Sequence, residues 1–425
     1  MASKLVAKLS IAASFIATSF IATARIAPWF LTTFITTTCF AAVPTFYADV
    51  LPILQNRCQE CHRSGAIAPM PLMTYKETRP WAQSIRANVI GRKMPPWFAD
   101  PCCGAFQNDR SLSEAEIQTL ASWAAGRAPA GDPKDAPPPR VWRDEWNLAA
   151  PDAVLPMPLS FAVPDKGAVD YQRFAIETGF KDDRWVQAVE VRPGARAAIH
   201  HVVVYIREAG ETWTKGPTTS DLLAVYAPGS GVLTFPDGMA KLIPKGAQLV
   251  MELHYTPNGH AATDRTSVAM VFAKNRPAQR VISLQLVRTD LRIPAGDRDY
   301  HLTAWGSLPN DALLLGFFPH MHLRGKAFEY DRILDNGRPE PLLRVSHYDF
   351  HWQLPYRLAK PIPLKKGTKL SVTAWFDNSA NNPLNPDPSA EVAWGEQSSQ
   401  EMLVGFFDVA VDPSVDRRSF FIRQK

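Results

Sequence analysis

Apolar and polar positions follow three different rhythms along the 425 residues. The first 48 are almost wholly apolar, with Leu9–Ala24 running behind Lys4 and Lys8, and Ile26–Ala48 behind Arg25. The spacing then turns helical. Tyr47-Ala48-Asp49-Val50-Leu51-Pro52-Ile53-Leu54 gathers its apolar residues on one side of a short helix. Ser113 and Glu116 make a capping box ahead of the amphipathic run Ile117–Trp123, which Gly126 ends. After the stiff linker Pro133-Lys134-Asp135-Ala136-Pro137-Pro138-Pro139, side chains alternate with period two over Gln187–Val191, Ile199–Ile206, Gln248–Tyr255 and Val268–Phe272. Short strands at this spacing, separated by Pro, Gly and Asp, predict β-sandwiches, and no long amphipathic helix interrupts them through residue 425.

The expected organisation is mixed and multidomain: a signal peptide or membrane anchor over 1–43, a small all-α domain over 44–132, a linker over 133–150, and two all-β sandwiches over 151–285 and 286–425. The leader has a basic start, an apolar centre and the small-x-small triplet Ala22-Thr23-Ala24, so export to the periplasm is expected. The run Ile26–Ala48 is also long enough to span a bilayer, which keeps membrane association open. Net charge is +5 from 46 basic and 41 acidic residues, with no basic stripe to suggest nucleic acid as a partner. Histidine is scarce, at 10 residues, so histidines that cluster carry information.

Cys58-Gln59-Glu60-Cys61-His62 is the C-x-x-C-H pattern of covalent haem attachment, in which two thiols add to the haem vinyls and the adjacent histidine binds the iron. No histidine occurs between His62 and His200, so the sixth ligand is sought among methionines. Met94, in Met94-Pro95-Pro96-Trp97, is the first candidate, and Met70 and Met73 compete. With the Trp-bearing helix that follows, this segment resembles a class I cytochrome c over Pro44–Pro133. Cys102-Cys103 is not part of that pattern; the adjacent pair is expected as a disulfide or as two thiols, with no assigned role.

Metal-ligand candidates recur in the β region. His200 and His201 are adjacent at a strand start, where only a bulge or the strand's own beginning lets both face one ion. His254 lies on another strand; three histidines suit zinc as well as copper. In Phe318-Pro319-His320-Met321-His322, the two histidines are two apart and share a strand face. Met402 reads as core when taken alone, and as a soft ligand favouring reduced copper when taken with the imidazoles. No cysteine follows Cys103, which excludes a thiolate-bound copper in either sandwich. His351, between Phe350 and Trp352, is the one remaining histidine of interest; His260, His301 and His347 show no paired spacing.

The order His200-His201, Leu253-His254-Tyr255, His320-x-His322 ending in Arg324-Gly325, then Glu401-Met402 resembles the copper type II ascorbate-dependent monooxygenases, the peptidylglycine and dopamine β-monooxygenase family, over Tyr171–Arg417. The resemblance implies two jelly-roll-like sandwiches holding two copper ions. An electron-donating copper would sit on His200, His201 and His254, and an oxygen-binding copper on His320, His322 and Met402. The chain departs from the animal enzymes in having no cysteines for disulfides there, and no substrate pocket carries over. The expected activity is hydroxylation of a C–H bond of a small organic substrate with O2. Electrons would come through one covalently attached haem c from a periplasmic donor, or from an ascorbate-like reductant. Two alternatives stand beside it: a dehydrogenase passing substrate electrons out through the haem, and a non-catalytic electron-transfer or copper-binding protein.

Overall fold

A computed structural model describes residues 43–142, 146–211, 221–417 and 422–424. The leader or anchor expected over 1–43 thus lies, up to residue 42, outside the described residues. Among the described residues no helix is long and apolar enough to cross a membrane. Val43–Lys425 form one compact unit.

The helices are Leu51–Arg57, Tyr75–Thr78, Ala82–Ile90 and Glu114–Ala125. Local chemistry sets their starts. Thr74 with Glu77 and Ser113 with Glu116 each form a reciprocal capping box, and Pro52 occupies the first turn of Leu51–Arg57, where its missing N–H costs nothing. Phe46, Leu54, Leu120 and Trp123 fill a small core among them.

The expected fold, an all-α cytochrome c domain followed by two jelly-roll-like sandwiches, needs correction. The protein is predominantly a β-sandwich. Among the described residues its helices are few, the longest being 12 residues, and they do not make a self-contained all-α domain. The physical reason lies in residues 97–108. Trp97, Phe98, Ala99 and Phe106 pack against the large core of the C-terminal strands instead of closing a helical bundle. The backbone follows: Asp100 N–H donates to Arg344 O, Gln107 N–H to Arg357 O, and Ala359 N–H to Ala105 O. Sequence rhythm could not reveal this, because an apolar residue does not announce which core it fills.

Three sheets dominate. The largest runs in the order Ala153–Pro156, Ser267–Phe272, Arg184–Arg192, Met239–Ile243, Gln279–Val287, Val404–Val411, Ala312–His320, Tyr356–Leu364, with Leu233–Thr234 beside Arg184–Arg192. It draws strands from both sides of residue 285, and the expected boundary there falls inside Gln279–Val287. That strand pairs with Met239–Ile243 on one edge and Val404–Val411 on the other. Gln172–Glu177, Gln248–Tyr255, Ile199–Arg207 and Asp221–Tyr226 form a four-stranded sheet. Tyr300–Ser307, Gly325–Ile333, Pro339–Val345, Lys369–Phe376 and Ile422–Gln424 form a five-stranded one.

The four-stranded sheet faces the largest sheet through an apolar layer in which Val203, Tyr205 and Val250 meet Phe318, Val404 and Phe406. Side chains on a strand repeat every second residue, so the face that presents Val203 and Tyr205 also presents His201, and the face that presents Phe318 also presents His320. The two sheets thereby bring histidines from distant parts of the chain to one end of the same layer.

Candidate metal centre

His200 and His201 reach one site because the Ile199–Arg207 strand begins there and its register against Gln248–Tyr255 shifts between Ile199 and His201, leaving His201 opposite His254. One ring nitrogen from each of His200, His201 and His254 lies within 4.8 Å of the other two. The Nδ1 atoms of His200 and His201 are 2.9 Å apart. Nε2 of both and Nδ1 of His254 are buried without a hydrogen-bond partner among the described residues. Burial, reinforced by the neighbouring imidazoles, lowers His200 to about 3, His254 to about 4 and His201 well below its ordinary value. The rings are therefore neutral, the form that binds a metal. Buried ring nitrogens without partners are costly, and three clustered neutral imidazoles are a donor set that fits a copper or zinc ion.

His320, His322 and Met402 are buried and line a cavity of about 20 Å³ with Tyr171, Tyr205 and Glu252. His320 Nδ1 pairs with Gln353 Oε1 at 2.6 Å and His322 Nδ1 with the Gln400 carbonyl at 3.2 Å. With the proton on Nδ1, each Nε2 lone pair is left free for a ligand, the arrangement that outer hydrogen bonds impose on metal-binding histidines. Burial lowers His320 to about 4 and His322 well below its usual value. Glu401 ties the group together. Its carboxylate accepts the backbone N–H groups of His322, Met402 and Arg324 while fully buried, and burial pushes it up to about 7.

The two groups are neighbours. His201 and His320 ring centroids are 6.4 Å apart, and Tyr171 lies against His254 at 4.8 Å, His201 at 5.6 Å and His322 at 6.1 Å. Phe350 stacks on His200 at 5.4 Å, and His351 approaches the same ring at 5.7 Å. Sequence reasoning missed Tyr171, Gln353 and the knotting role of Glu401. Only Glu401 carried a signal, its position beside Met402.

The haem-attachment motif also has a matching environment. His62 Nδ1 lies 3.1 Å from the Met70 carbonyl and donates to it, again leaving Nε2 free. Cys58 and Cys61 are not bonded to each other, and burial raises them to about 12 and about 11, so both stand as thiols. They line a cavity of about 480 Å³ with His62 and Met94, a size suited to a large cofactor. Met70 instead packs against the small helical core. The opposite wall belongs to the sandwich, through Gly229, Gly231, Trp352 and Arg357. These residues fit a covalently held haem shared between helical segment and sandwich. Cys102 and Cys103 are disulfide-bonded to each other.

No family model matches the chain, and no curated protein matches it. Among solved structures, the chain is similar to the major capsid protein P2 from bacteriophage PM2, at 9% identity and a TM-score of 0.28 over 62% of this chain and 98% of that one. It is also similar to the structure of infectious bursal disease virus Gx strain, at 7% identity and a TM-score of 0.19 over 64% of this chain and 74% of that one.

Proposed function

We propose that this protein is an exported, periplasmic, copper-dependent monooxygenase carrying one covalently attached c-type haem, acting on a C–H bond of a small organic substrate with O2. The observation that carries the reading is the convergence of five neutral imidazoles, four buried and His254 half-buried, and Met402 at one end of the layer between two sheets. Bound copper supplies one-electron chemistry and oxygen activation there, and haem supplies single electrons from a periplasmic donor or an ascorbate-like reductant.

The chain's own residues do the rest. His200, His201 and His254 would hold one copper, and His320, His322 and Met402 a second, with thioether softness favouring the reduced ion. Gln353 and the Gln400 carbonyl orient the second pair of rings. Glu401 fixes the backbone that presents His322 and Met402. The cavity beside them, at about 20 Å³, admits a water-sized molecule. Trp352 lines the cavity of the haem-attachment residues, and Phe350, two residues earlier, stacks on His200, which supports the two regions working together.

The test is metal and haem content of the mature protein, followed by stopped-flow absorbance of the reduced haem mixed with O2 in copper-loaded and copper-free forms, and isotope-labelled O2 in a substrate screen. Two coppers and one haem per chain, copper-dependent haem oxidation and label in the product are expected. Haem oxidation indifferent to copper, or product without label, overturns the monooxygenase reading.

A further inference from the structure

The charges lining the haem-motif cavity do not balance. Arg57, Glu60, Asp109, Arg110, Arg140 and Arg357 face it. Arg57 pairs with Glu116 at 3.2 Å, and Arg140 with Glu60 at 3.8 Å, a carboxylate also shared with Arg63. Asp109 is exposed and accepts the backbone N–H of Ser111. Arg110 and Arg357 remain. Among the described residues neither forms an ion pair, and both are half-buried.

Their remaining contacts are few. Arg110 donates to the carbonyls of Pro228 and Gly229, and Arg357 Nη1 to the carbonyl of Val232 at 3.3 Å. Arg357 Nε is buried without any partner among the described residues. Burial and then the charge of Arg110 disfavour the charged form of Arg357, with Asp408 a weaker compensating influence. Asp408 is itself engaged by Lys241 and Ser283. Two half-buried guanidinium groups lining one cavity without a counter-anion are unfavourable, and an arginine fork fits a carboxylate. The backbone makes room on the same wall: at Gly229, with φ +82°, a Cβ would come within 2.4 Å of Arg110 Nη1 and 3.3 Å of Cys61 Sγ.

We propose that Arg110 and Arg357 bind the two carboxylates of a haem attached at Cys58 and Cys61, so that the sandwich, through Arg357, holds one of those two carboxylates. This rests on the haem part of the proposed function. Two otherwise unpaired cations then meet two anions, and the cofactor pins the helical segment to the strand Tyr356–Leu364 that carries Arg357.

The experiment uses the full chain matured with haem, with covalent attachment checked by haem staining after denaturation and the midpoint potential measured by spectroelectrochemistry from pH 5 to 8. Removing a cation beside the haem favours the more positive ferric state, so Arg357→Leu and Arg110→Gln are each expected to lower the midpoint. They should also introduce a fall with rising pH, as a carboxylate that had been ionised throughout now titrates. Wild type should be flat, and Arg357→Lys should restore most of the midpoint.

Unchanged midpoints and flat pH profiles in haem-bearing Arg357→Leu and Arg110→Gln overturn the proposal while leaving the haem reading intact. If the pair serves a free carboxylate instead, added succinate shifts the wild-type midpoint and Arg357→Leu abolishes only that response, which also overturns it. Absence of covalent haem from the wild type removes both. Should Arg357→Leu fail to fold, Arg110→Gln and Arg357→Lys decide: an Arg110→Gln protein with the wild-type midpoint and a flat profile is the overturning result.

Discussion

At the scale of single residues, the ligand candidates could be found because ligation needs particular atoms, and few side chains carry them. His200, His201, His254, His320, His322 and Met402 were all visible as sequence. The residues that orient them were not, since Gln353 and the Gln400 carbonyl act through contacts set by tertiary packing. Glu401 is the sharpest case: a carboxylate that fully buries itself to gather three backbone N–H groups. Replacing Glu401 with Gln keeps the shape but removes the charge and turns one of the two accepting oxygens into an NH2 that cannot accept. Copper affinity at His320, His322 and Met402 is expected to weaken by about 10–100-fold, read by competitive chelator titration, with the haem spectrum unaltered. Met402→Ile should abolish hydroxylation and likewise spare the haem spectrum; unchanged turnover would remove Met402 from the site.

A second residue-scale prediction concerns stability away from the site. Burial raises Asp331 to about 6, helped by Glu329 beside it and opposed by Arg344. A carboxylate raised in the folded state favours folding below its unfolded value of about 4, and that contribution is lost as pH rises through about 6. Asp331→Asn has no proton to lose. The variant should be more stable than wild type at pH 8 by about 1 kcal/mol and should show a shallower fall in denaturant midpoint between pH 4 and 7. Equal slopes for the two proteins would assign the acid dependence elsewhere.

At the scale of elements, the sequence spoke clearly about local structure and poorly about partnership. The capping boxes and the period-two runs are local, and they mark where helices and strands begin. The strand start that lets His200 and His201 turn to one point is legible in the same way, as a geometric condition on adjacent histidines. What no local pattern could disclose is that residues 97–108 complete the sandwich. Trp97, Phe106 and Tyr356 form an aromatic trio with ring centroids 5.0–5.9 Å apart, joining helical segment to sheet. Phe106→Ala should therefore destabilise the entire 43–425 unit by roughly 2 kcal/mol, below the cost of truncating a fully buried aromatic because the ring is only half-buried. Haem absorbance and far-ultraviolet circular dichroism should still report one coincident unfolding transition. Two separated transitions would mean that the helical segment folds as a domain of its own.

At the scale of the whole molecule, two groups of candidate ligands written far apart in the chain approach one another around a short turn. Phe350 is buried against His200 and His254, with centroids at 5.4 Å from each. Trp352, two residues on, lines the cavity that holds Cys58, Cys61, His62 and Met94. This juxtaposition was beyond the sequence because it depends on the four-stranded sheet, the largest sheet and the helical segment all converging on residues 350–352. It also gives that turn a measurable consequence. Trp352→Leu keeps an apolar side chain but removes the ring from the wall of that cavity. Copper-dependent oxidation of the reduced haem is expected to slow by about tenfold, equivalent to about 1.4 kcal/mol on the barrier, while copper content and haem midpoint stay near wild type. A rate indifferent to Trp352, in a protein whose haem oxidation still requires copper, would route the coupling through another contact between helical segment and sandwich.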